Sequence, residues 1–151
     1  MQNPILGEVS IDDGIGVVGF QYGESKVQIR IMPDGEPFES SINLAEQIAE
    51  DLATLDDTAK RIAASQLTEK YNGGWNEYDE AQEDGTFKTV VNPALTEDEF
   101  VKKLTLTAIN VTGDSMLAFF YNDENKFWGH SVIVNSMNGT RFDDADAQIF
   151  G

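Results

Sequence analysis

The apolar residues of this chain change their spacing twice along its length, and that change restricts the folds open to it. In Ser25-Lys-Val-Gln-Ile-Arg-Ile31 the period is two: Val27, Ile29 and Ile31 alternate with Lys26, Gln28 and Arg30. This is the pattern of a strand with one face on a core and the other in water. Ile15 to Tyr22 is a second such run, and Gly16 and Gly19 within it mark a bulge or a close approach of another backbone. Ile5, Val9 and Ile11 predict a strand from Pro4 to Ile11, closed by Asp12-Asp13-Gly14, and Gly23-Glu24 supplies a two-residue turn. Pro33, Gly35 and Pro37 end this first sheet segment.

The spacing then becomes helical. Asn43 and Glu46 form a capping-box pattern ahead of a stripe of Leu44, Ala45, Ile48, Ala49, Leu52 and Leu55. Asp56-Asp57 places negative charge where a second helix would begin, and its stripe is Ala59, Ile62, Ala63, Leu67 and Tyr71. Gly73-Gly74 closes it with a left-handed cap. Trp75 to Pro93 has no apolar period and predicts an exposed loop with a short strand over Thr86 to Val91. Thr96 and Glu99 form a second capping box, for a short helix carrying Phe100, Val101 and Leu104.

After it the period returns to two. Strands are predicted over Leu104 to Val111, Ser115 to Tyr121 and Trp128 to Ser136, with a last one from Phe142 toward Ile149. Gly113-Asp114 and Asn138-Gly139 supply tight turns. Strands, then helices, then strands predict a single α+β domain spanning residues 1–151. Its antiparallel sheet has about six to seven strands, three N-terminal and about four C-terminal, with a helical hairpin and a short helix packed on it.

Charge and cysteine content narrow the chemistry. Ten Lys and Arg against 27 Asp and Glu give a net charge of −17, and carboxylates outnumber cations on both sides of Trp75. Such a surface repels nucleic acid and anionic lipid and steers basic partners toward it. No cysteine is present, which removes disulfides, thiolate nucleophiles and cysteine zinc sites. No apolar run approaches the ~18 residues of a membrane span, and Met1-Gln-Asn-Pro4 lacks the regions of a signal peptide. A cytoplasmic protein with no membrane contact is the expectation.

The densest stretch is Phe127-Trp-Gly-His-Ser-Val-Ile-Val134, which holds the single histidine of the chain. In a strand, His130 and Ser131 point to opposite faces and cannot form a dyad, whereas Trp128 and His130 share one side. That side is a possible ligand face, although a lone histidine meets few requirements of a catalytic site. Asp123-x-Asn125 and Asp143-Asp144-x-Asp146 lack the glycine and distal glutamate of a calcium loop. Gly14-x-Gly16-x-x-Gly19 lies in strand-patterned sequence and opens no helix, so it is not a dinucleotide fingerprint. No catalytic residue, metal or cofactor is assigned.

Thr96-Glu-Asp-Glu-Phe100, Leu104-x-Leu106-x-x-Ile109, the aromatic strand, Phe127-Trp-Gly-His-Ser131 and the Asp-Ala-x-Ile-x-Gly ending together resemble a bacterial domain-of-unknown-function family. The resemblance covers roughly Trp75 to Gly151, and the acidic insertion from Glu77 to Asp84 departs from the family pattern. It implies no reaction. It implies a kinship with small acidic proteins that serve as partners or immunity-like companions of other bacterial proteins.

Taken with the charge, this predicts a non-catalytic, immunity-like or adaptor domain that engages a basic protein. The contact residues are Trp75, Glu77, Tyr78, Asp79, Glu80, Glu83 and Asp84, with Asp123 and Glu124 in a second acidic loop. Aromatic anchors beside carboxylates suit such a surface. The rival readings are a small enzyme or ligand-binding domain on the Trp128/His130 face, and an acidic inhibitor that mimics DNA.

Overall fold

The structure, a computed structural model, describes residues 1–122 and 130–150. Its centre is a seven-stranded sheet, built by β3 (Ser10–Asp12), β4 (Ile15–Tyr22), β5 (Ser25–Met32), β8 (Thr105–Thr112), β9 (Met116–Asn122), β10 (Ser131–Ser136) and β11 (Asp146–Phe150). The spatial order is β11-β10-β9-β8-β5-β4-β3. The α+β class and the strand number follow the reading from sequence. One pairing departs from an antiparallel sheet: β5 and β8 run parallel, with Ile29 beside Ile109 and Ile31 beside Val111. A parallel pair requires a long crossover, and the helices between β5 and β8 supply it.

The crossover holds α1 (Phe38–Glu50), α2 (Leu52–Lys70), a single π-helical turn (Tyr71–Trp75) and α3 (Glu97–Lys102). α1 lies over β5 and β8, while α2 lies over β10 and β11 and against α3. The core forms between this layer and one sheet face. Val18, Val27, Ile29, Ile31, Ile109, Val111, Phe119, Val132 and Val134 are all buried there. Each fully buried side chain of this size contributes about 1.5–3 kcal/mol.

Several local expectations are corrected by tertiary contacts. α1 begins at Phe38, just after Pro37, and Asn43 lies inside the helix and does not cap it. The Phe38 ring packs against β4, so closely that a Cβ on Gly16 would sit 3.0 Å from its Cζ. That packing extends the helix nearly two turns earlier than the capping pattern predicts, and it explains why position 16 is glycine. α2 begins at Leu52, so Asp56 sits in its second turn and is buried. Gly73-Gly74 falls in the π-helical turn and not in a left-handed cap. The capping box of α3 is present as predicted: Thr96 Oγ1 accepts from the Glu99 N–H, and Glu99 accepts from the Thr96 N–H.

The predicted strand over Pro4 to Ile11 is broken. Asn3 Oδ1 accepts from the N–H groups of Ile5 and Leu6 and turns the chain, giving a small hairpin of β1 (Gln2–Asn3) and β2 (Gly7–Glu8) before β3. Asn138 has φ −128°, outside the mirror-image turn expected at Asn138-Gly139, and the link from β10 to β11 runs through a 3₁₀ turn at Gly139–Arg141. The stretch after Trp75 is exposed as predicted, but it is an ordered two-stranded ribbon, β6 (Glu77–Ala81) paired antiparallel with β7 (Phe87–Val91).

Candidate functional site

Two features stand out from the sheet and helices. The first is the ribbon β6–β7. Asn76 and Asn92 brace its base: the Asn92 N–H donates to the Asn76 carbonyl at 2.7 Å, and Asn76 Nδ2 donates to the Asn92 carbonyl at 3.0 Å. At the far end Asp84 Oδ1 accepts from the Thr86 N–H (3.0 Å) and hydroxyl (2.6 Å), closing a turn in which Gly85 has φ +83°. The hydroxyl bond first, and then the N–H bond, hold the Asp84 carboxyl below its ordinary pKa. Beyond this brace, among the described residues, no helix or strand of the seven-stranded sheet packs extensively on the ribbon.

Its exposed side chains are of two kinds. The pairing register puts Glu77 opposite Val91, Asp79 opposite Thr89 and Ala81 opposite Phe87, so Glu77, Asp79, Phe87 and Val91 share one face. Phe87 is 71% exposed and Val91 60%. Tyr78, on the other face, is 47% exposed beside Glu80 and Lys88. A two-stranded hairpin is at best marginally stable alone, so this ribbon depends on its braced base and presents apolar groups ringed by carboxylates.

The second feature is an open cleft of about 440 Å³ at the root of the ribbon, lined by Lys70, Gly73, Gly74, Trp75, Glu77 and His130. The π-helical turn at its root is closed by the Asn76 N–H donating to the Tyr71 carbonyl at 3.0 Å, and the backbone leaves helical geometry at Gly74 (φ 160°, ψ −30°). This turn carries α2 into β6, and a Cβ at Gly73 or Gly74 would meet nothing within 4 Å, so both leave the cleft floor open. His130 Nε2 donates to the Trp75 carbonyl at 2.6 Å, and the two rings meet edge-on with centroids 5.0 Å apart. Behind them the buried ring of Tyr71 contacts both His130 and Phe100 edge-on, each at 6.3 Å.

The structure thus separates the residues that the sequence grouped together. Trp75 is half-buried in the cleft with His130, Glu77 lies on β6 and also lines the cleft, Tyr78, Asp79 and Glu80 lie farther along β6, and Glu83 and Asp84 lie at the ribbon turn. Asp123, Glu124 and Trp128 lie outside the described residues. Sequence reasoning missed Phe87 and Val91; the signal was an apolar pair four residues apart across a short strand, next to Gly85. It also read Gly73-Gly74 only as a helix stop. Among the described residues no group of three or more His, Asp or Glu is placed to hold a metal ion, and no helix is long and apolar enough to cross a membrane.

Away from the cleft, Asp56 gathers the principal buried polar network. It is 4% exposed; Oδ1 accepts from the Tyr121 hydroxyl at 2.8 Å, Oδ2 from Tyr22 at 2.9 Å, and Lys60 Nζ lies 3.3 Å from Oδ2. Tyr22 lies on β4 and Tyr121 on β9, so one carboxylate on α2 ties the helix to two separated strands. Burial first, then the bond to Asp56, pushes Tyr22 up from 10.0 to about 12, and burial with the charge of Asp56 raises Tyr121 well above the usual range.

These phenols stay neutral in the fold at a pH where the unfolded chain has lost their protons. Their contribution is therefore complete below pH 10 and is lost as pH rises toward 12 and beyond. In an alkaline titration followed by phenolate absorbance, Tyr22 and Tyr121 are expected to ionise late, together with unfolding. Four tyrosines titrating together near the usual value, with the fold intact, would contradict the network.

No curated protein and no solved structure matches the chain. Residues 3–146 match the family described as "uncharacterized protein conserved in bacteria (DUF2262)", a span that adds the N-terminal strands and both long helices to the C-terminal segment whose residues carry the resemblance. With nearly its whole length matched, from the β1–β2 hairpin to the start of β11, the chain belongs to the bacterial family DUF2262.

Proposed function

We propose that this protein is a non-catalytic protein-binding domain, immunity-like or adaptor in role, whose β6–β7 ribbon engages a basic partner. The observation that carries the reading is the ribbon itself: a braced hairpin that shows Phe87, Val91 and Tyr78 to solvent amid Glu77, Asp79, Glu80, Glu83 and Asp84. Apolar side chains exposed in one place mark contact surfaces. The carboxylates around them raise the association rate of a basic partner and exclude acidic ones. The net charge of −17 adds long-range steering in the same sense.

The cleft supports a different reading less well. Its titratable residues are Lys70, Glu77 and His130, and the Nε2 proton of His130 is committed to the Trp75 carbonyl. Among the described residues, no hydroxyl or thiol nucleophile lines it.

The test replaces residues 77–91 by a short glycine linker between Asn76 and Asn92, which keeps the sheet and helices, and separately makes Phe87→Ser. Capture from the native host, identification by mass spectrometry and direct titration are expected to return a basic protein bound by the wild type. The linker variant is expected to lose it, and Phe87→Ser to weaken it by about 2 kcal/mol, roughly thirtyfold, the scale of an interface hot spot. Undiminished capture by the linker variant would remove the ribbon from the interface. Displacement of the same partner by duplex DNA would shift the reading to a mimic of nucleic acid.

A further inference from the structure

The helices cover one face of the sheet, and among the described residues no element packs on the other. That uncovered face has an unusual charge. All 27 carboxylates lie outside β4, β5, β8, β9 and β10, whose only charged side chains are Lys26 and Arg30. On a chain of net charge −17, these central strands form an extended surface where a second acidic molecule meets no wall of like charge. The five strands centred on β9, namely β5, β8, β9, β10 and β11, lie about 4.8 Å apart and are five to eight residues long, so they span about 24 by 22 Å, on the order of 500 Å². Two such faces in contact reach about 1,050 Å², at the threshold of about 1,000 Å² that a biological interface clears.

The pairing register makes this face self-complementary. One row across the uncovered side reads Arg30, Asn110, Ala118, Asn135, Asp146 on successive strands β5, β8, β9, β10 and β11. The next row reads Gln28, Ala108, Phe120, Ile133, Gln148 on the same strands. A two-fold axis running along β9 stacks Arg30 of each copy over Asp146 of the other, Asn110 over Asn135, and Phe120 over Phe120. The small Ala118 on that axis permits close approach. An isologous interface needs this reciprocity. Arg30 and Asp146 are both exposed, and neither has an ion-pair partner among the described residues of its own chain.

We propose that the protein forms a two-fold symmetric dimer by stacking these faces about β9, sheet on sheet, with reciprocal Arg30–Asp146 pairs at its margins. Arg30 and Asp146 of one chain stand four strands apart, about 19 Å, too far to pair internally. A charge swap therefore reports only on contact between copies.

The test is sedimentation equilibrium at roughly 100 μM protein, suited to an interface of this modest size, with circular dichroism to verify folding. The wild type is expected at twice the 16.7 kDa of one chain. Arg30→Glu and Asp146→Arg are each expected to weaken association by about tenfold or more, and the double variant to restore it. A nonspecific effect of net charge predicts otherwise: Asp146→Arg makes the chain less acidic and would strengthen association. Ala118→Arg, which opposes itself across the axis, provides a second route to the monomer if a swapped variant folds poorly. A monomeric wild type, a double variant no better than the singles, or a dimer indifferent to Ala118→Arg would each overturn the proposal.

Discussion

Asp56→Ala is expected to lower stability by about 3 kcal/mol, near the low end of the range for breaking a buried charge network. For a chain of this size that corresponds to a fall of about 6–12 °C in Tm. The carboxylate serves Tyr22, Tyr121 and Lys60 together, and its removal leaves the Tyr121 hydroxyl buried against α2 without its closest acceptor. A buried polar group stripped of its partner bears the desolvation cost alone. Lys60 sits at the margin and regains water, which keeps the loss from being larger.

Asp56→Asn separates the contributions. It keeps an oxygen acceptor for one tyrosine and removes the charge, so it is expected to cost about half as much and to bring Tyr22 back toward its ordinary pKa. Thermal melts with an alkaline titration of each variant measure both effects. An Asp56→Ala protein that melts with the wild type would show that the helix is held to the sheet by packing alone.

The second large effect concerns Phe142, where alanine is expected to be worse than glycine. Phe142 has φ +58°, and its ring is buried edge-on against Phe119 at 5.4 Å. Truncating such a ring costs about 3–5 kcal/mol through lost burial and the cavity left behind. Alanine still bears the steric penalty of the left-handed region, roughly 1–2 kcal/mol, which glycine does not. Phe142→Gly is therefore expected to be about 1 kcal/mol more stable than Phe142→Ala, the reverse of the usual order. Denaturant melts of the two variants decide it; the usual order would mean that the backbone at 142 relaxes once the ring is gone.

Phe142 also shows where reading the chain alone reaches its end. As a residue type it extends a strand, and the sequence predicts one from Phe142 toward Ile149; the observed β11 starts at Asp146. The ring is drawn under the sheet by Phe119, and the backbone is forced left-handed to let it reach. The same physics moved the start of α1, where Phe38 packs over Gly16, and placed Asp56 in the core, where two tyrosines from distant strands satisfy it. Local spacing and capping describe a segment as if it were alone, and each of these outcomes depends on a partner far away in the chain.

The candidate site divides along the same line. The acidic character of the Glu77 to Asp84 stretch and its exposure were legible, because carboxylates crowded without an apolar period have nothing to bury. The second strand of the ribbon, β7, was legible as the short strand over Thr86 to Val91; its partner β6 and their pairing were not, since β6 is exposed on both faces and gives no alternation. Nor was the meeting of Trp75 and His130, 55 positions apart.

What the sequence determined by itself is the periodic part: the α+β class, the strand runs with one buried face, the Thr96/Glu99 cap and the acidic surface. These follow from interactions within a few residues or from composition. The tertiary structure decided that β5 pairs β8 in parallel, which row of side chains lies across the uncovered face, and where the cleft opens. Register and strand order are set by contacts between segments that only the assembled sheet brings within reach.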